Sequence, residues 1–127
     1  MVGIVLISHS RVVAESTAEL VGHIAAGAKV IPAGGTDDGR LGTSTERIAA
    51  AIAEADTGDG VLLIPDIGSS VFSALALLEE FESASRVVLA DAPFVEGAVA
   101  AAVAAGVGLS LNEVHLAAEE AREVRKL

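Results

Sequence analysis

Two short stretches bring together residue types that can do chemistry, Ile7-Ser8-His9-Ser10 and Asp66-Ile67-Gly68-Ser69-Ser70. Histidine is the side chain whose charge and nucleophilicity are most easily set near neutral pH. A carboxylate that accepts a hydrogen bond from one ring nitrogen fixes the tautomer and makes the other nitrogen the better nucleophile. The same carboxylate offsets the positive charge that develops when the ring takes a phosphoryl group. Gly68 permits a close backbone approach, and a helix beginning at Ser69 or Ser70 presents unpaired N–H groups to an anion. Ser10 and Arg11 open a second helix beside His9. The residues therefore suggest phosphoryl transfer, with His9 and Asp66 as the reacting pair and Ser10, Arg11, Gly68, Ser69 and Ser70 as the phosphate cradle. Small residues (Ser8 among them) suit a shallow site that a partner protein can approach.

These groups meet only if the chain folds as an open parallel sheet with the first and third strands adjacent. Four apolar runs are the expected strands: Val2 to Ile7, Ala28 to Ile31, Gly60 to Ile64 and Arg86 to Ala90. Valine and isoleucine dominate them without strict alternation, as expected where both sheet faces are covered. Each is followed by a helical stretch, which is the βαβ rhythm. The expectation is a single α/β domain over residues 1–127, doubly wound, with a mainly parallel central sheet of four or more strands and helices on both faces. In such sheets ligands bind at the carboxyl edge, where His9 and Asp66 both fall.

The first helix, from about Val12 to Ile24, is expected to bury Val13, Leu20, Val21 and Ile24. A Thr43–Glu46 capping box opens the second, with Ile48, Ala51, Ile52 and Ala55 as its buried face. The third runs to about Phe81. The fourth, from about Val95 to Ala105, is nearly apolar all round and is expected at a subunit interface or between layers. The last opens on a Ser110–Glu113 capping box and carries basic residues in its final turn, which suits the helix dipole.

Composition excludes several classes. The 127 residues contain no cysteine, so disulfide and thiolate chemistry are absent, and the chain fits a reducing, cytoplasmic setting. A net charge of −10 argues against nucleic-acid binding and favours basic protein partners. The apolar run at the amino terminus is too short for a signal peptide or a membrane span. No metal site is expected, because the three histidines lack ligand spacing. His23 and His115 read as helix-surface residues. The glycines form no Walker loop, and no G-x-S-x-G elbow is present, which disfavours nucleotide hydrolysis and serine hydrolysis. Thr36, Asp37 and Asp38 form a turn closed by Gly39 that could flank the site mouth as a partner-facing rim. Phe94 could be rim, core or dimer contact, and Glu96 is expected to cap, pair or touch a partner.

Three segments in order, Ile7-Ser8-His9-Ser10, Asp66-Ile67-Gly68-Ser69 and Ala92-Pro93-Phe94-Val95-Glu96-Gly97, resemble the mannose-class IIA domain family. Within it they are most similar to the phosphocarrier subunits of phosphotransferase-dependent dihydroxyacetone kinases, and the likeness covers essentially the whole chain. The resemblance implies that His9 is phosphorylated by the phosphocarrier protein HPr, with Asp66 as its acidic partner. It implies that the phosphate passes to ADP held on the kinase's nucleotide-binding subunit, with no cofactor on the carrier itself. It places the Thr36–Gly39 loop near the histidine and implies a homodimer. With no fused donor domain in these residues, an independent HPr is the expected donor. The competing expectations are a IIA domain serving a mannose-class sugar transporter and a non-catalytic regulatory interaction domain.

Overall fold

The computed structural model describes residues 1–80 and 86–127. The elements are β1 (Gly3–Ser8), α1 (Arg11–Ile24), β2 (Lys29–Gly34), α2 (Thr45–Ala55), β3 (Val61–Pro65), α3 (Gly68–Leu78), β4 (Val87–Leu89), α4 (Phe94–Gly106) and α5 (Leu111–Glu120), followed by a 3-10 turn over Ala121–Glu123. The four strands form one sheet in the order β2-β1-β3-β4. All three pairings are parallel, with Ile7 opposite Ala33 on one side and Pro65 on the other. The sheet is doubly wound, as expected.

Both faces are covered, and alternate residues divide between them. Ile4, Leu6, Leu62 and Ile64 face α1, α4 and α5. Val5, Ile7, Val61 and Leu63 face α2 and α3. Residues Ile4 to Ile7 of β1 are wholly buried, so the strand that leads into His9 is the innermost part of the molecule. The connections diverge between β1 and β3, which makes their carboxyl ends the switch point of the sheet.

Several local expectations are corrected. β2 continues through Pro32 to Gly34. It lies at the sheet edge with β1 as its neighbour, and an edge strand tolerates a residue with no N–H to donate. Gly34 ends the strand beneath α1, where a Cβ would lie 2.6 Å from the Ser10 carbonyl oxygen and 2.9 Å from Arg11 Cα. That close approach sets the first turn of α1 against the sheet. The buried face of α1 is Ala14, Thr17 and Val21. Val13, Leu20 and Ile24 are exposed instead, because small residues at 14 and 17 allow the helix to lie closer to the sheet on that side.

α2 is capped by Ser44, whose hydroxyl accepts from the Arg47 N–H at 3.2 Å, rather than by Thr43. Its buried face is as expected, Ile48, Ala51, Ile52 and Ala55. α3 begins slightly earlier than expected, at Gly68; the expected end near Phe81 lies outside the described residues. α4 does not lie between layers; it sits between α1 and α5 in the helical layer on one face of the sheet. Its Gly97, Ala98, Ala101, Ala102, Ala104 and Ala105 are buried against the sheet, α1 and α5. Small side chains permit this: a Cβ at Gly97 would come within 3.3 Å of the Ala118 carbonyl oxygen. α5 has the expected Ser110–Glu113 capping box. It ends at Glu120, before the basic residues, yet Arg122 still serves its last turn, with Nε donating to the Glu119 carbonyl at 3.1 Å. Arg122 also pairs with Asp91, and Lys126 with Glu96 at 2.9 Å. No described helix is long and apolar enough to cross a membrane.

Candidate functional site

β1 delivers His9 and β3 delivers Asp66 to the same point. The Asp66 N–H donates to the Ile7 carbonyl at 2.9 Å, extending the strand pairing by one step. Five donors then converge on the Asp66 carboxylate. Oδ2 accepts from the Ser8 hydroxyl at 2.8 Å and the His9 N–H at 3.1 Å. Oδ1 accepts from the Ile67 N–H at 2.7 Å, lies 2.7 Å from the Ser70 hydroxyl, and meets His9 Nδ1 at 3.0 Å. Burial works against ionisation of this carboxyl. The hydroxyls of Ser70 and Ser8 and the amides of Ile67 and His9 more than offset it, and lower the Asp66 pKa from 3.8 to about 2.

An ionised Asp66 can only accept hydrogen bonds. The proton of a neutral His9 ring therefore lies on Nδ1, and Nε2 keeps its lone pair. Nε2 faces Ser69 Oγ, which is its hydrogen-bond partner. Beyond it lies the start of α3, where no side chain caps the helix. A Cβ at Gly68 would meet nothing within 4 Å, so the approach to that helix end is open. An uncapped helix amino terminus offers N–H donors and positive potential to an oxyanion. The arrangement can hold one tautomer, expose one nucleophilic nitrogen and receive negative charge beside it.

The other expected site residues fall in different places. Ser70 is fully buried, with its hydroxyl on Asp66 and the Ile67 carbonyl; it orients the carboxylate rather than facing the cleft. Ser10 caps α1 by accepting from the Val13 N–H at 3.2 Å and donates its own N–H to Ser8 Oγ at 3.0 Å. The Arg11 guanidinium is turned to Glu15, 3.4 Å away. Thr36 is tied into its own turn, with its N–H on the Arg40 carbonyl at 2.9 Å. Asp37 Oδ1 accepts from Ser44 at 3.0 Å and Arg47 at 3.1 Å, which fastens the loop to α2. Phe94 packs against the core on the α4 side. His115 pairs with Glu119 at 2.8 Å on α5, and His23 stands exposed on α1.

Four contributors are not apparent from the sequence in their true roles. Ser8, which suits a small-residue rim, is fully buried and donates to Asp66. Gly42 donates its N–H to the His9 carbonyl at 2.9 Å. Thr43 and Ser73 place their hydroxyls 2.6 Å apart between the loop and α3. The position of Ser8 directly before the histidine is a usable signal; the other three depend on how the loop folds back.

Fold and site together define a doubly wound α/β protein with an imidazole held by a carboxylate at the switch point of its sheet. Residues 3–115 match the EIIA-man family, described as the PTS system fructose IIA component, and the chain belongs to this family. It is similar to a PEP-dependent dihydroxyacetone kinase 2 phosphoryl donor subunit DhaM from Listeria innocua, 40% identical over 81% of this chain and 85% of the relative. A phosphoryl donor subunit DhaM from Escherichia coli is 35% identical over 99% of this chain, which spans only 28% of that longer protein. Among solved structures, that of a protein of unknown function, EF1359, superposes with a TM-score of 0.83. It is 32% identical, with 93% of this chain and 92% of the other covered.

Proposed function

We propose that this chain is a cytoplasmic phosphohistidine carrier that takes a phosphoryl group from HPr onto His9 Nε2 and gives it to ADP on the nucleotide-binding subunit of a dihydroxyacetone kinase. The observation that carries the reading is the ionised Asp66 holding Nδ1–H while Nε2 faces an uncapped helix terminus. The similar DhaM subunits, named as phosphoryl donors of dihydroxyacetone kinases, support the choice of acceptor.

In the first step the Nε2 lone pair attacks phosphorus in line. The N–P bond forms as the bond to the donor breaks, and the donor keeps that electron pair. The ring becomes cationic, and Asp66 compensates the charge through Nδ1–H. Backbone donors at the start of α3, with the Ser69 hydroxyl swung off Nε2, receive the equatorial oxygens. In the second step a terminal phosphate oxygen of ADP attacks, and the N–P electrons return to Nε2. The acceptor oxygen is already anionic, so no general base is required, and binding the two partners in register supplies most of the acceleration.

The test follows phosphate from phosphoenolpyruvate through enzyme I, HPr and this chain to ADP on the kinase subunit. One acid-labile phosphate per chain and its appearance as ATP are expected. Transfer to a IIB protein with none to ADP assigns the chain to a sugar transporter instead. Binding to a partner unaltered by loss of the histidine, with no label, assigns it to regulation.

The proposal includes pairing with a second copy. Since the alanine face of α4 is used inside the protomer, the surface for it is formed by the exposed Val13, Leu20 and Ile24 of α1, with Val103 of α4 and Val107 beside Ile24. Sedimentation at micromolar concentration is expected to give a dimer, which Leu20→Glu converts to monomer. A wild-type monomer throughout that range overturns the pairing.

A further inference from the structure

Asp66 and Ser70 hold the first turn of α3 from beneath, and the loop between β2 and α2 ties the next turn to the strand that carries His9. Gly42 donates its N–H to the His9 carbonyl at 2.9 Å. The next residue, Thr43, reaches the opposite wall, with Oγ1 2.6 Å from Ser73 Oγ on α3. Ser73 Oγ donates to the Ser69 carbonyl at 3.1 Å. A hydroxyl has one proton to give, so the Thr43 hydroxyl is the donor to Ser73. The chain is therefore directed, from Thr43 O–H to Ser73 O–H to Ser69 C=O. It ends on the residue whose own hydroxyl meets His9 Nε2.

Consecutive loop residues thus grip both walls of the cleft: the strand end that carries the imidazole and the helical turn that faces its reactive nitrogen. The backbone at position 42 needs glycine for this. Its φ is +135°, and a Cβ there would lie 2.9 Å from Thr36 Cγ2. The loop is anchored at its far side by Asp37 on Ser44 and Arg47.

We infer that Thr43, acting through Ser73, is a positioning residue for phosphoryl transfer at His9. Together with the Asp66 contacts to His9 and Ser70, the pair sets the separation between Nε2 and the first turn of α3, where the phosphoryl oxygens are received. The inference rests on the phosphocarrier function proposed above. Neither hydroxyl touches the reacting atoms, so removing one leaves the nucleophile intact and loosens the surface that faces it. Small misplacements of oriented groups slow a reaction far more than the strength of a single hydroxyl hydrogen bond would suggest.

The experiment measures phosphorylation of the full chain by phosphorylated HPr, separating kcat from KM, with a melting curve for every variant. Thr43→Val is expected to lower kcat ~10-fold at unchanged KM, and Ser73→Ala to do the same. Thr43→Ser, which keeps the hydroxyl, is expected to restore the wild-type rate. If Thr43→Val does not fold, Ser73→Ala decides. The inference is overturned if the hydroxyl-lacking variants run at the wild-type rate, if their defect lies in KM alone, or if Thr43→Ser is as slow as Thr43→Val. Wild-type chain that takes no label refutes the proposed function and this inference with it. Wild-type labelling with unaffected variants refutes only the positioning role.

Discussion

His9→Ala is expected to abolish labelling by phosphorylated HPr, leaving no acid-labile phosphate on the chain. No other described side chain near the site has a neutral nitrogen with a free lone pair. Ser69 and Ser10 offer only hydroxyls, and the described site contains no base arranged to activate them once the imidazole is gone. The fold should survive, because four of the five donors to Asp66 remain without the ring. The loss of one ring hydrogen bond costs on the order of 1 kcal/mol, within reach of a denaturant titration. His23→Ala and His115→Ala, which alter an exposed residue and a helix-surface pair, are the controls and should label normally. Label retained in His9→Ala would transfer the carrier role to another residue and remove the proposed mechanism.

The second large effect belongs to Asp66→Asn. The amide is isosteric, yet it brings two donors to a position where five donors already converge. Part of that network must then go unmatched. The cost to folding is about 1–3 kcal/mol for a buried polar group left without its partner. The rate effect is separate. An asparagine can present either its oxygen or its nitrogen to Nδ1, so the tautomer is no longer fixed, and no negative charge faces the ring as it becomes cationic. Phosphorylation should slow by about 10²–10³-fold. A rate within a few-fold of wild type would mean that the carboxylate only braces the turn.

The same substitution changes the dependence of stability on acid. The folded-state pKa of Asp66, about 2, lies below the ordinary 3.8, so its ionised form stabilises the fold above about pH 4. That contribution is lost as pH falls from about 4 toward 2. The shift is worth about 1–2 kcal/mol after allowance for solvent screening at a partly exposed site. Urea titrations of the wild type should therefore lose stability over this window, and Asp66→Asn should lose less.

The chain's broad plan is open to reading because the strands and the chemical residues share one pattern. Valine-rich runs followed by helical periods specify a parallel sheet, and the ends of its first and third runs carry the histidine and the aspartate. Adjacency of β1 and β3 is a condition of that reading, and the structure supplies it. What escapes reading depends on packing distance or on loops. Hydrophobicity finds Val21 on the buried face of α1 but misses Ala14 and Thr17, which are less hydrophobic than the exposed Val13 and Leu20. Thr43 and Ser44 are equally good helix caps by residue type, and only the path of the loop separates their roles. Ser70 suits a phosphate cradle until the fold shows which side of its helical turn faces the carboxylate.

The placement of His9 at the end of the innermost strand, with its surroundings supplied by exposed segments, divides the molecule into a fixed part and an editable one. Leu41 from the loop, Ile67 from the turn between β3 and α3, and Phe72 from α3 project into solvent, and none of them contributes to the sheet core. Under the proposed carrier function, substitutions of these side chains are expected to alter the choice of donor or acceptor while leaving the His9–Asp66 geometry in place.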